Sequence, residues 1–267
     1  MEKLGAEIDS STFWSQQTSA YVHQLTGDYH AHRLQVIDSL IPAELYATGK
    51  RVFDFGCGNA VHFPQFCSKG VHIEGVDVAP EMIAIAKAEL TAKNLSPGLV
   101  QAGGVDLMKE RSSASFDAVL SFNVLAYLTN DEERTFYEEA KRILKPGGFL
   151  VVTHSNSLFD MFSLNALTAD FFEASFGCSR VAELLVNTKP NPSQPLYNVR
   201  ENPLAYKHKL AALGFAEVQQ EFINLHPAPP SQMPSERKYA STLALPEADR
   251  WKLFFQCSTY GSRSVRR

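Results

Sequence analysis

Short apolar runs alternate with longer amphipathic stretches through the middle of the chain. The runs are Arg51-Val52-Phe53-Asp54-Phe55, His72-Ile73-Glu74-Gly75-Val76-Asp77, Leu99-Val100-Gln101, Phe116 to Ser121 and Phe149 to Thr153. Between them, Pro80 to Leu90 places Met82, Ile83 and Ala86 on one helical face, and Asp131 to Leu144 does the same with Phe136, Ala140 and Ile143. Strands alternating with helices of this length predict βαβ units: a Rossmann-like, mostly parallel sheet with helices on both faces. Upstream, Phe13 to Leu45 keeps helical spacing through Leu34, Ile37, Leu40 and Ile41 and ends near Pro42. Downstream, Phe159 to Val186 reads as an apolar helical stretch followed by the breaker-rich Lys189 to Pro195. A helix over Pro203 to Leu213 stopped by Gly214, a strand over Ala216 to Asn224, a Pro-rich loop over Pro227 to Pro234 and a last strand within Phe254 to Ser264 complete the pattern. The expected organisation is an N-terminal helical cover over 1–48 and an α/β domain over 49–267, with 157–200 as an insertion after the fifth strand.

Composition narrows the function classes. The chain has 267 residues, 45% hydrophobic and 20% charged, with a net charge of -4. Nucleic acid and anionic membrane surfaces are held by clustered Lys and Arg, so neither is an expected partner. No apolar stretch approaches the roughly 18 to 20 residues that span a bilayer, and the first residues lack the apolar core of a secretory signal, so a cytoplasmic location is expected. Cys57, Cys67, Cys178 and Cys257 form no CxxC pair, and His30 and His32 are two apart rather than four, so no metal site is signalled.

Asp54-Phe55-Gly56-Cys57-Gly58-Asn59 follows the first run and precedes a helical stretch, the place where an open parallel sheet binds its ligand. Two glycines permit positive φ and let a ligand approach the backbone. Asp77, which ends the second run 19 residues after Gly58, suits the two hydroxyls of a ribose. A dinucleotide turn needs a third small residue where this chain has Val61. Asp54 repels a pyrophosphate but suits a ligand carrying an ammonium and a sulfonium, which describes S-adenosylmethionine.

These residues resemble the class I S-adenosylmethionine-dependent methyltransferases, in particular their small-molecule branch. The resemblance covers roughly Lys50 to Thr153 and recurs at the glycine turn, at Asp77 with Val78-Ala79-Pro80-Glu81-Met82, at Ser115-Phe116-Asp117-Ala118-Val119 and at Lys145-Pro146-Gly147-Gly148-Phe149-Leu150. It implies a seven-stranded sheet and assigns the cofactor to Asp54, Gly56, Cys57, Gly58, Asp77 and Val78. Asn123 matches the position lining the methionine end, and Val105 stands near the adenine, where the family often has an acid. Ala60 stands where the family often has a third glycine. Asp117 is expected to be structural.

Methyl transfer is an in-line displacement for which alignment supplies much of the acceleration, so a general base is optional. His154 ends the fifth run at the expected mouth of the site and is the candidate base. Trp14, Tyr21, Tyr29 and His30 are candidate substrate-binding residues on a segment that family members use as a cover, implying an apolar or planar small molecule. The expected function is therefore methylation of a small-molecule acceptor, preferably at oxygen. The alternatives are a non-catalytic cofactor-binding protein or partner subunit and, more remotely, a nicotinamide dehydrogenase. Oligomeric state is not legible.

Overall fold

The structure is a computed structural model that describes residues 9–24, 28–159, 200–226, 242 and 245–267. Seven strands form one sheet: β1 (Arg51–Phe55), β2 (His72–Asp77), β3 (Val100–Ala102), β4 (Phe116–Ser121), β5 (Leu144–Ser155), β6 (Phe215–Leu225) and β7 (Cys257–Arg266). Their order is β3-β2-β1-β4-β5-β7-β6. The first five strands pair in parallel, and β7 lies antiparallel between β5 and β6. The mostly parallel sheet expected from the alternating pattern is present, with the seven strands that the resemblance implies.

Period-two alternation divides the sheet between two cores. Phe53 and Phe55, Val119, Leu150 and Val152 face one side, where they pack with Phe136 and Tyr137 of α6 (Asn130–Ile143) and Tyr206 and Leu210 of α7 (Tyr206–Leu213). Val52, Ala118, Leu120 and Val151 face the other, against α2 (Asp28–Leu40), α3 (Phe63–Cys67) and α4 (Pro80–Ala92). Helix α6 begins in a reciprocal capping box: Thr129 accepts from the Glu132 amide, and the Glu132 carboxylate accepts from the Thr129 amide. Such a cap contributes about 1 kcal/mol. Gly214, in the left-handed conformation at φ +86°, ends α7 where the glycine predicted a stop.

The N-terminal segment divides into two helices with different roles. Val36, Ile37 and Leu40 bury the apolar face of α2 in the second core, while α1 (Ser10–Gln24) packs on α4. Ser11 Oγ ties α1 down by donating to the Val78 carbonyl at 2.8 Å. The last strand runs from Cys257 to Arg266, two residues beyond the predicted limit at Ser264, because pairing with β5 and β6 on its two sides carries it to Arg266. Most of the predicted insertion, and the Pro-rich loop after Asn224, lie outside the described residues. No helix among the described residues is long and apolar enough to cross a membrane.

Candidate active site

The strand order reverses between β1 and β4, and a cavity opens there at the carboxyl ends of the strands. The turn after β1 forms its floor. The amides of Gly56 and Cys57 both donate to the Val76 carbonyl, at 2.7 and 2.9 Å, latching the turn to the end of β2. Gly56 has φ +75°, and a Cβ there would overlap Val124 Cγ2. Gly58 has φ +54° with open space where a Cβ would stand. The first glycine allows close packing and the second leaves backbone accessible. Ala60 takes φ +59°, the conformation for which a third glycine is suited.

Asp77 is held from both sides. Its Oδ2 accepts from the Gly58 amide and its Oδ1 from the Ala79 amide, each at 3.0 Å. Burial nevertheless pushes its carboxyl above the usual range, against the pull of these two bonds. Asp54 lies buried beneath the turn with Oδ1 enclosed and unpartnered among the described residues. Burial and the neighbouring Asp77 charge raise its carboxyl to about 7. Asp77, with spare acceptor capacity beside the open space at Gly58 and Gly104, lines the cavity and fits a nucleoside, whereas Asp54 lies behind the turn, does not itself line the cavity and can act on a cationic tail only through its charge.

Val78, Val105 and Asn123 line this cavity. Asn123 is left-handed at φ +60°; its amide donates to Thr153 Oγ1 at 2.8 Å, and that hydroxyl donates to Asn123 Oδ1 at 3.2 Å. Cys57 departs from expectation. Its side chain is buried behind the turn, where a Cβ on Gly75 would meet it, and it does not line the cavity. Burial and the charges of Asp54 and Asp77 hold its thiol protonated. Asp106 is also turned away, pairing with Lys109 on the surface. Asp117 is structural: it accepts from Lys50, Lys145 and the Arg51 amide near the opposite end of the sheet.

Trp14 and Tyr21 of α1 roof the cavity. The Trp14 ring meets Tyr127 edge-on at 4.9 Å and Tyr21 at 5.9 Å. His30 is buried one layer back, edge-on to Tyr21 at 6.1 Å, and does not line the cavity. The Tyr29 side chain lies outside what is described.

His154 is not at the mouth. It shares the parity of Leu150 and Val152, so its ring points into the first core, 4.4 Å from the Tyr206 ring and 5.4 Å from that of Tyr260. Burial, with a smaller contribution from the Lys209 charge, lowers its pKa to about 3, and Nε2 is enclosed without a partner among the described residues. A base that no acceptor reaches has no proton to take.

The residues that pattern reading missed are on the loop after β4 and on opposing strands. Phe122, Val124, Tyr127 and Leu128 line the cavity. A second, polar recess shares Asn123 and Tyr127 with it and is walled by Thr153 and Ser155 from β5 and by Ser258 and Thr259 from β7. Only Thr153 and Ser155 carried a local signal, since their alternation with His154 places them on the opposite face.

A nucleoside-binding turn at the switch point, under a roof of helix, defines a Rossmann-like α/β protein of the cofactor-binding kind. Residues 53–152 match the family model described as a methyltransferase domain. The chain is 28% identical over 123 residues to a ubiquinone biosynthesis O-methyltransferase of Maricaulis maris, covering 46% of this chain and 47% of that one. It is 27% identical over 139 residues to the corresponding protein of Paracidovorax citrulli, covering 52% and 56%. The chain thus matches about half the length of these relatives. In fold it is similar to magnesium protoporphyrin IX methyltransferase from Synechocystis with bound SAH (TM-score 0.59, 12% identity, covering 96% and 98%). It is also similar to a structure of the Haloferax volcanii Trm112 methyltransferase activator in complex with a putative methyltransferase (TM-score 0.60, 18% identity, covering 97% and 98%). Residues 53–152 thus form a methyltransferase domain, on a fold shared with a methyltransferase solved with bound SAH.

Proposed function

We propose that the protein transfers the methyl group of S-adenosylmethionine to an oxygen of a small-molecule acceptor. The observation that carries this reading is the junction at Asn123 and Tyr127, where the cofactor cavity meets the polar recess. When bound, the cofactor supplies an electrophilic methyl on a sulfonium. Asp77 holds the ribose, the charge of Asp54 beneath the turn attracts the ammonium, and Val105 borders the adenine. Asn123, fixed by Thr153, borders the methyl end. The roof of Trp14 and Tyr21 excludes water and turns encounter into alignment, the contribution that in-line displacement needs most. The recess combines the hydroxyls of Thr153, Ser155, Ser258 and Thr259 with the rings of Tyr127 and Phe159 and the Arg200 guanidinium, so the acceptor presents both polar groups and an apolar face on that side. The names of the relatives support oxygen as the receiving atom.

The test is release of S-adenosylhomocysteine by the purified protein with a panel of phenols, alcohols and hydroxy acids, beside calorimetric binding of S-adenosylhomocysteine. Turnover on oxygen acceptors is the expected outcome. Cofactor binding without turnover across the panel favours a sensor or partner subunit instead, and tight binding of NAD with none of S-adenosylhomocysteine removes the reading altogether.

A further inference from the structure

One wall of the polar recess carries a cation. Arg200 lines it, together with Ser155 of β5, Thr259 of β7 and the rings of Tyr127 and Phe159. Backbone pairing holds this wall in place. The Glu201 amide donates to the Ser155 carbonyl at 2.9 Å and the Ser157 amide to the Glu201 carbonyl at 3.0 Å, so the segment entering at Arg200 forms a parallel bridge to the end of β5 at Asn156. On the other side Ser155 stands opposite Thr259 in the antiparallel register of β5 and β7, and the Asn156 amide donates to the Ser258 carbonyl at 2.9 Å. Directly opposed residues of paired strands carry their side chains on one face, with Cβ atoms about 4.5–5.5 Å apart, so these two hydroxyls are neighbours. The carboxylate that follows Arg200 in sequence is engaged by α7: Glu201 accepts from Lys209 at 2.5 Å.

We propose that this recess is the anion subsite of the methyl acceptor, in which Arg200, seconded by Ser155 and Thr259, receives a carboxylate, so that the substrate class is small hydroxy acids. The proposal rests on the methyltransferase reading above. A guanidinium presents five N–H donors in a planar fork, so it can give a pair of them to a carboxylate while keeping contacts to the protein. The two hydroxyls donate to the same oxygens, and the rings of Tyr127 and Phe159 suit an apolar body attached to them. The recess has a volume of about 240 Å³, below the roughly 300–1,000 Å³ of sites for drug-sized ligands, which fits a single ring or a short chain. It meets the cofactor cavity at Asn123 and Tyr127, which line both spaces. An acid seated on Arg200 therefore presents its far end, the hydroxyl, at that junction. The methionine end of the cofactor also carries a carboxylate, and the walls separate the two sources. Arg200 lines the recess and not the cavity, whereas Gly56, Gly58 and Asp77 line the cavity and not the recess. Ammonium and carboxylate share one carbon in the cofactor, so attraction of the ammonium to Asp54 beneath the turn keeps that carboxylate on the cavity side.

The experiment uses the full chain saturated with S-adenosylhomocysteine, titrated by calorimetry with para-hydroxybenzoate and with para-hydroxybenzamide, its uncharged counterpart of the same shape. The wild-type complex binds the acid about tenfold or more tighter than the amide, the worth of a charge-assisted hydrogen bond. Arg200→Met lowers the acid to the level of the amide, Arg200→Lys restores part of the difference, and affinity for S-adenosylhomocysteine is the same in all three proteins. Ser155→Ala weakens the acid about two- to tenfold and tests the subsite without touching Arg200, which decides the matter where Arg200→Met does not fold. Equal binding of acid and amide, no binding of the acid to the wild-type complex, or acid affinity unchanged in Arg200→Met overturns the proposal. Where only Ser155→Ala folds, unchanged acid affinity in that variant overturns it. Loss of S-adenosylhomocysteine affinity in Arg200→Met, with the acid unaffected, assigns the residue to the cofactor carboxylate and overturns it as well. Failure of wild-type protein to bind S-adenosylhomocysteine counts against the methyltransferase reading instead.

Discussion

The Gly58 amide donates to Oδ2 of Asp77 at 3.0 Å, joining the turn after β1 to the end of β2 before any ligand arrives. With the matching bond from Ala79 to Oδ1, it fixes the carboxylate orientation while leaving further lone pairs for ribose hydroxyls. Asp77→Asn cannot keep both bonds, because one of its two polar atoms is a donor facing an amide donor. Affinity for S-adenosylhomocysteine falls about 10- to 100-fold in that variant, measured by calorimetry. Unchanged affinity removes Asp77 from the ribose site.

Gly56 is the position in the turn that tolerates least. Gly56→Ala introduces a Cβ into the space of the Val124 side chain at a positive φ. Left-handed strain of about 1–2 kcal/mol and overpacking of about 1–3 kcal/mol predict a marked loss of stability by chemical denaturation. Adding Val124→Ala relieves the second part and not the first. A double-mutant cycle therefore shows coupling of about 1 kcal/mol or more between the two positions, and additivity contradicts the contact.

What was legible in the chain is what depends on neighbours in sequence. The glycine turn, Asp77 and the alternation of strands with helices are local patterns, and each is found where its spacing placed it. His154 was rightly placed at the end of a strand and wrongly assigned to the site, although its parity with Leu150 and Val152 already pointed it into the first core. Cys57 shares a motif with Gly56 and Gly58, but its side chain is sent the other way by the twist of the turn. The polar recess brings Thr153 against Asn123 and sets β7 beside β5, contacts that follow from topology rather than pattern.

Trp14 offers an optical report on the roof. The chain has two tryptophans, and Trp251 is largely exposed while Trp14 packs between Tyr21 and Tyr127 over the cavity. Binding of S-adenosylhomocysteine changes the emission of Trp14, and Trp14→Phe abolishes most of that change. Trp14→Ala also weakens binding about three- to tenfold, from the loss of aromatic contacts worth roughly 0.5–1.5 kcal/mol. An emission change that persists in Trp14→Phe places the ligand elsewhere.

Asp54 makes cofactor binding depend on pH. Burial and Asp77 raise its carboxyl to about 7 in the free protein, so it is partly protonated at neutral pH. A bound ammonium favours the carboxylate, so binding releases a proton, and affinity weakens as pH falls through 7. Calorimetry in two buffers of different ionisation enthalpy measures the release directly. Asp54→Asn abolishes it, whereas release that survives in Asp54→Asn has another source.

His154 contributes to stability rather than to proton transfer, and pH separates the two roles. Its pKa is about 3 in the folded protein, against an ordinary value of 6.5. The unfolded chain therefore binds the proton first as pH falls, and the folded state pays for keeping the ring neutral. The contribution is intact above about pH 6.5 and is lost progressively below it, by up to about 1.4 kcal/mol per pH unit until the folded ring itself titrates near 3. His62, held at about 4 mainly by burial, adds to the same slope over a shorter interval. His154→Phe keeps an aromatic ring between Tyr206 and Tyr260 and removes the proton site together with the unpartnered Nε2. Denaturant midpoints measured from pH 7 down to 5 should fall less steeply in His154→Phe than in wild type, while methyl transfer at pH 7 stays within about threefold of the wild-type rate. A rate loss of about 100-fold or more at full folding, the usual worth of a positioned base, would return His154 to the chemistry.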